Sequence, residues 1–452
     1  MHHIIPAALL LAAAPLAAQT ASLDSLVTEG LRANLGLSQE RLALRRARAE
    51  VAAADALRLP GLDFQARYTE RSGATTDIGK LINPALGALN QLLGTPAFPT
   101  DVQLALPLKQ ETGFRITQPL FQPAIGAGRS AARAMYDVQD ASVGASTRRL
   151  AADIQIAYLD YLKANRVAEL YDSTRVLLDE SVRVNEVLLK NGTATPDQVL
   201  RARAEREAVA QQQADAGRIV SALRRRVNVL LDRPVESALG ILPDSALGLR
   251  LTITADSAVR LAAGRREELS QVDAAIRAGR AQGRAAGAAR LPTLSAAVDY
   301  GIQGDRYRVS ADRDYLLASV VLQWNLFSGG RTQARQRQAS LDVDRLTVRA
   351  AEVRSQIEME VRTAYDAASV AGRSISTAQA RVDAARRTFQ LVARRYGEGA
   401  ATLIEYLDAR TTRTNADLNL ILTTYEFLQR CADLDRAAAV RTWPQFDQGA
   451  RQ

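Results

Sequence analysis

Apolar positions along this chain follow two different spacings, and the change from one to the other happens twice. Leu62, Phe64, Ala66 and Tyr68 alternate with Asp63, Gln65, Arg67 and Thr69. Much later, Leu294, Ala296, Val298, Tyr300 and Ile302 alternate with Ser295, Asp299 and Gln303. A period of two predicts strands with two unlike faces. A partner stretch follows each, giving strand pairs at about 62–70 with 113–121 and at 294–303 with 315–327. Each strand is roughly ten residues long, the length of a tilted strand across an outer membrane.

The second spacing is helical. Leu150, Ile154, Ala157, Tyr161, Ala164, Ala168 and Tyr171 step by four and three, and Ile357, Val361, Ala364, Ala368, Ala371, Ile375 and Ala378 do the same. This is a heptad seam, with alanines that permit close helix approach. The seams predict helices over about 129–190 and 331–396, each roughly 90–100 Å long at 1.5 Å per residue. A helical bundle or a plain rod satisfies the same period.

The chain also repeats itself. Asp24-Ser25 recurs as Asp256-Ser257, Leu37-Ser38-Gln39 as Leu269-Ser270-Gln271, and Arg58-Leu59-Pro60 as Arg290-Leu291-Pro292, all 232 residues apart. Ala157-Tyr158 recurs as Ala364-Tyr365, and Gly192 as Gly399, at an offset of 207. The shorter second offset places an insertion in the first copy, and Leu81–Thr100 accounts for most of it. That stretch is uncharged but holds Pro84, Pro96 and Pro99, so it is read as a long loop.

Each copy runs in one order: a helical stretch (24–57, 256–289) ended by Leu-Pro, a strand pair, then a long helical hairpin. The hairpins turn at glycines. Gly192 precedes Thr195-Pro196-Asp197-Gln198, read as a capping box with Pro196 at the first helical position. Gly399 precedes Thr402-Leu403-Ile404-Glu405, a second capping box. The returning helices cover about 195–231 and 402–440. The expected organisation is a signal peptide over 1–18, a first repeat over 19–232, a linker over 233–255, a second repeat over 256–440 and a tail over 441–452.

Residues 4–18 read IIPAALLLAAAPLAA, an apolar run too short to span a bilayer and ending in small residues. Export follows, and with no other membrane-length helix the chain is periplasmic, secreted or an outer-membrane barrel. Four strands cannot close a barrel, and open sheet edges are not tolerated in lipid. A homotrimer with twelve strands would close one.

Composition narrows the chemistry. The 452 residues are 47% apolar and 24% charged, which excludes disorder along the whole chain. Cys431 is the one cysteine, so an intramolecular disulfide is impossible; on its helix it reads as a packed small residue. His2 and His3 are the only histidines, so the exported chain lacks imidazole for a triad, a general base or zinc. No enzyme activity, cofactor or metal site is expected. The net charge of +9 comes with dispersed acids and 5% aromatics, which does not suit nucleic acid.

The order of helix, strand pair and long helical hairpin, twice over, resembles the TolC family of outer-membrane efflux proteins. The second tip carries the resemblance best, in Tyr396, Gly399, Leu403 and Glu405-Tyr406-Leu407-Asp408-Ala409. Arg266-Glu267-Glu268-Leu269 is similar to the family's R-P-[DE]-L, with Glu267 in place of proline. Leu326-Phe327-Ser328-Gly329-Gly330-Arg331 resembles its strand-to-helix junction. The resemblance implies a mostly α fold with a transmembrane β-barrel part. Long coiled-coil hairpins would form an α-barrel, and four strands per chain a trimeric 12-stranded β-barrel. It implies a homotrimer in outer-membrane lipid, a periplasmic adaptor and an inner-membrane pump of the RND, ABC or a similar class.

The resemblance also implies that Glu405 and Asp408 form the pore gate and favour cations. Glu405 has a plainer duty as the acid of a capping box, and Asp408 as a solvated side chain. Gly192, Thr195, Pro196, Asp197, Gly399 and Thr402 shape the tips, where the family's adaptors dock; turning the chain is the plainer explanation. The rival reading of the whole chain is a periplasmic coiled-coil structural or adaptor protein without a channel.

Overall fold

Ser22 and Ser25 open the first helix of the computed structural model with a reciprocal capping box, and Thr254 caps the helix 232 residues later through the Ser257 amide. The structure describes residues 22–70, 76–102, 105–106, 109–243, 247, 249–304 and 314–444. The expected signal peptide and most of the expected tail lie outside them. The elements are α1 (Leu23–Ala33), α2 (Leu35–Ala56), β1 (Gly61–Tyr68), β2 (Thr76–Asp77), α3 (Ile78–Leu93), β3 (Ala105–Leu106) and β4 (Gln110–Phe121). Then come α4 (Pro123–Lys190), α5 (Pro196–Leu230), α6 (Ala255–Arg265), α7 (Glu267–Ala288), β5 (Thr293–Gly304), β6 (Asp314–Gln323), α8 (Arg331–Gly397) and α9 (Leu403–Ala438).

Three expectations about the extent of the elements change. The helical stretches 24–57 and 256–289 are each two helices, broken at Asn34 and Arg266. Both residues leave helical ψ, and both reach a carbonyl at the end of a returning helix. Asn34 Nδ2 donates to Leu230 O at 3.0 Å, and Arg266 Nη1 to Ala437 O at 2.9 Å. Different side chains thus make the same tie at positions 232 apart. Asn34 Oδ1 also accepts the Leu37 amide and so caps α2.

The second change is that Leu81–Thr100 is not a plain loop, because α3 occupies Ile78–Leu93 with Pro84 inside it. Proline there removes the amide that would otherwise bond the carbonyl of Lys80 in the first turn. Asn83 and Asn90 hold a strap along the helix. Asn83 exchanges hydrogen bonds with the Val102 backbone and Asn90 with the Phe98 backbone, at 2.7–3.0 Å. Third, β6 ends at Gln323 rather than 327, and Trp324–Ser328 has no regular structure.

The chain divides into two compact units that do not follow the repeat, since each draws on both copies. One comprises residues 45–138 and 272–348 and holds the strands. Its main sheet runs β1-β4-β5-β6, antiparallel throughout. One face carries the rows Leu62–Ile116–Val298 and Phe64–Phe114–Tyr300–Leu316. The other carries Asp63–Arg115–Asp299 and Arg67–Glu111–Gln303. Arg115 donates to Asp299 at 2.5 Å, and Arg67 pairs with Glu111. Gly113 opposes Gly301, where a β-carbon on either would come within 2.7 Å or 2.5 Å of a neighbouring carbonyl oxygen. Two apposed glycines let these strands lie that close.

The other unit comprises residues up to 44, 139–271 and from 349 onward. Its core gathers Leu23, Val27 and Leu31 of α1 with Ile154, Tyr158 and Leu162 of α4 and Val227 of α5. The heptad positions Ile154, Ala157, Val361 and Ala368 are fully buried. Residues 239–242 are pinned on α4. Tyr158 donates to Gly240 O and accepts from the Leu242 amide, both at 2.9 Å, and Tyr161 donates to Leu239 O at 3.0 Å. Burial pushes the Tyr158 hydroxyl up to about 12. Cys431 packs in the same core, and burial raises its thiol to about 11, which suits a packing residue.

Candidate functional site

The two hairpin tips lie in the helical unit and are built alike. Each long helix ends on a glycine with left-handed backbone, Gly192 at φ +76° and Gly399 at φ +73°. That conformation lets the chain bond back onto the helix end. The Thr193 amide donates to Leu188 O at 3.0 Å and the Ala400 amide to Arg395 O at 2.7 Å.

The helix starts differ. Thr402 and Glu405 form the expected capping box. Thr402 Oγ1 accepts the Glu405 amide at 3.2 Å, and Glu405 Oε2 accepts the Thr402 amide at 2.7 Å and its hydroxyl at 3.0 Å. The box expected at Thr195 is absent: its side chain makes no capping bond, and Gln198 N donates to Thr195 O at 3.1 Å instead. Thr195 is exposed, so water competes for its hydroxyl. Pro196 does occupy the helix start, and Asp197 sits exposed in the first turn.

Glu405 and Asp408 are both exposed, three residues apart on one helix face. The Thr402 amide, then its hydroxyl, hold the Glu405 carboxyl below its ordinary value of 4.5, with Arg395 adding to the effect. Asp408 makes no hydrogen bond or ion pair among the described residues. The second tip thus presents two carboxylates to solvent from a rigid helix start, one of them held ionised.

Behind the tips lies a layer that sequence reasoning did not single out. Leu178, Val209, Leu403 and Leu407 form a buried cluster drawn from α4, α5 and α9, with Tyr171, Tyr396 and Tyr406 against it. Tyr396 stacks on Tyr406 with ring centroids 5.0 Å apart, and its hydroxyl donates to Asn185 Oδ1 at 3.1 Å. Arg410 is buried and pairs with Glu205 at 2.9 Å. Burial lowers the Arg410 pKa from its ordinary value, against the attraction of Glu205. A signal for these residues did exist. Leu403, Leu407 and Arg410 share a helical stripe, as do Leu178, Val182 and Asn185, so each stripe places a polar group in an apolar row.

Comparison with known proteins agrees with this architecture. Residues 258–440 match the family model described as outer membrane efflux protein. A curated relative, the pyoverdine export outer membrane protein OpmQ of Pseudomonas putida, is 28% identical over 146 residues. That match spans 32% of this chain and 31% of the relative's length. Among solved structures, the CmeC outer membrane channel of Campylobacter jejuni superposes with a TM-score of 0.76 at 16% identity, over 92% of this chain and 85% of that one. The outer-membrane channel OprN gives 0.74 at 20% identity, over 92% and 89%. The MtrE outer membrane channel of Neisseria gonorrhoeae, in its open state, gives 0.74 at 17%, over 92% and 88%. Residues 258–440 thus match the outer membrane efflux protein family, and the chain as a whole has the fold of the solved TolC-like outer-membrane channels.

Proposed function

We propose that three copies of this chain close one twelve-stranded barrel in the outer membrane and export cargo through it. The cargo, small molecules or proteins, arrives from an inner-membrane pump of the RND, ABC or a similar class through a periplasmic adaptor. The observation that carries this reading is the sheet. Leu62, Phe64, Phe114, Tyr300, Leu316 and Val320 share one of its faces and are each more than half exposed in the single chain. Lipid is the medium that covers such a face, and further copies complete its two free edges. The role is one of transport.

In this reading Glu405 and Asp408 ring the entrance at the second tip and favour cations. Gly192, Thr195, Pro196, Asp197, Gly399 and Thr402 present the tip surface to the adaptor. Support comes from the exposure of both carboxylates and from the shared tip geometry.

Single-channel conductance in a planar bilayer tests the proposal. Wild type should give a small, cation-preferring conductance, and Glu405→Ala/Asp408→Ala a larger and less selective one. A clear conductance that the pair of substitutions leaves unchanged discards the gate and keeps the channel. Well-folded protein without conductance turns the reading toward a periplasmic coiled-coil protein, which salt would wash from membranes.

A further inference from the structure

The residues that join the sheet to its helices combine exposed apolar groups with unpaired arginines. Leu326 is 79% exposed, Phe327 88% and Trp324 56%. Leu59, Phe121 and Leu291, at the corresponding ends of β1, β4 and β5, are also exposed. The arginines alternate with them in sequence: Arg58 precedes Leu59, Arg290 precedes Leu291, and Arg331 opens α8 four residues after Phe327. The fold draws them to the same end of the sheet. Trp324 Nε1 donates to Arg290 O at 3.0 Å, and Gln118 Nε2 to Arg58 O at 2.9 Å.

All three arginines are exposed, and their guanidinium groups make no hydrogen bond or ion pair among the described residues. The carboxylate nearest in sequence to Arg58 is already engaged, since Asp55 pairs with Arg129 and with Arg133 at 3.6 Å. Aromatic side chains with one polar edge favour the boundary between hydrocarbon and headgroup. Guanidinium forks match phosphate oxygens in geometry as well as in charge.

We propose that this junction binds the phosphate headgroups of anionic phospholipid in the leaflet at the helical end of the barrel. Arg58, Arg290 and Arg331 hold the phosphates, and Trp324, Phe327, Leu59 and Leu291 rest among the upper acyl carbons. The proposal rests on the channel reading above, which sets the four strands in lipid. The competing occupant of the arginines is a carboxylate surface on a second copy of the chain.

The chain has two tryptophans, so Trp443→Phe leaves Trp324 as the sole reporter. The variant is reconstituted into vesicles containing brominated phosphatidylglycerol or brominated phosphatidylcholine, and its conductance is recorded in bilayers of the same lipids. Trp324 fluorescence should be quenched at a mole fraction of phosphatidylglycerol roughly fivefold or more below that needed with phosphatidylcholine. Adding Arg58→Gln, Arg290→Gln and Arg331→Gln should equalise the two lipids while quenching and conductance persist. Should Trp443→Phe fold poorly, wild type minus Trp324→Phe gives the same signal.

Equal quenching by the two lipids in a conducting protein overturns the headgroup assignment and leaves the second copy as the arginines' partner. A preference that survives the triple substitution overturns the arginines. Conductance without any Trp324 quenching overturns the placement of the junction at lipid. Protein that neither inserts nor conducts defeats the channel reading, and this proposal falls with it.

Discussion

Arg148 and Glu267 form a two-pronged ion pair, Nε to Oε2 at 3.0 Å and Nη2 to Oε1 at 2.6 Å. Arg148 Nη1 also donates to Arg441 O at 2.8 Å. Glu267 stands at the first position of α7, where proline would also be tolerated. The side chain at this position therefore serves a partner on α4 more than the helix start. Glu267→Gln should lower the heat-unfolding midpoint, with a cost of about 2 kcal/mol, since it strands a mostly buried guanidinium. Arg148→Gln/Glu267→Gln should cost less than the two single changes summed. Melting curves of all three variants check this, and strict additivity would show that the pair is not coupled.

Arg410 and Glu205 should respond unequally. Arg410 is buried, whereas the Glu205 side chain is 43% exposed. Glu205→Ala leaves a buried cation without its carboxylate and should cost about 1–2 kcal/mol after allowance for solvent screening. Arg410→Met removes the charge and fills the stripe beside Leu407, so its melting midpoint should stay near that of wild type. Equal losses in both variants would show that the pair itself, and not the burial of Arg410, dominates.

Glu405 sets a pH dependence for the proposed cation preference. The Thr402 amide and hydroxyl hold its carboxyl below 4.5. A depressed value means the charge is present above the ordinary carboxylate range and is lost only as pH falls through the lowered one. In the Asp408→Asn background, reversal potentials should stay cation-selective as pH falls through 4.5. Thr402→Val removes the hydroxyl and should move the loss of selectivity to higher pH. A loss that occurs at the same pH in both proteins would separate Glu405 from selectivity.

Asp435 carries the opposite sign. Burial raises its pKa above the ordinary 3.8, and the Arg441 side chain and amide only partly offset it. The folded state therefore prefers the neutral acid, and stability contributed by that preference is lost as pH rises from about the unfolded value through the raised one. Asp435→Asn keeps an acceptor for the Arg441 amide, which lies 2.9 Å from Asp435 Oδ1. Its midpoint relative to wild type should increase as pH rises from about 4 through the raised value of Asp435. A flat difference across that window would mean that Arg441 compensates the burial fully.

Gly399→Ala should cost about 1–2 kcal/mol locally, because φ at that position is left-handed. Gly397→Ala, at the end of α8 and outside that region, should be near neutral or slightly stabilising. Hydrogen exchange across residues 396–402 reads the difference at the tip. Equal protection in the two variants would show that the turn accommodates a β-carbon.

Much of this architecture is legible in short-range pattern. Period-two alternation located all four long strands, and the four-three seam located α4 and α8, because each pattern records which side of one element meets apolar surroundings. The Thr402 capping box was legible for the same reason, as its partners are three residues apart. Thr195 shows the limit: in the same type of motif its hydroxyl makes no capping bond, and the Gln198 amide bonds the Thr195 carbonyl instead. Pro84 shows another, because a helix-breaking residue was outweighed by apolar spacing and by Asn83 and Asn90 gripping a strap up to 19 residues away.

The sequence by itself determined the four long strands, the two long helical hairpins, their order and the two glycine turns, since those depend on steric and hydrophobic preferences within a few residues. Only the tertiary structure decided that β4 pairs with β5, which sets Arg115 beside Asp299 across 184 residues and joins strands of both copies in one sheet. It alone decided that Asn34 and Arg266 break their helices to catch carbonyls at Leu230 and Ala437, and that Arg410 finds Glu205. Such pairings depend on where distant segments meet once the chain has closed on itself. A buried polar group then takes whichever partner burial brings near, because leaving it unpaired costs more than the bond returns.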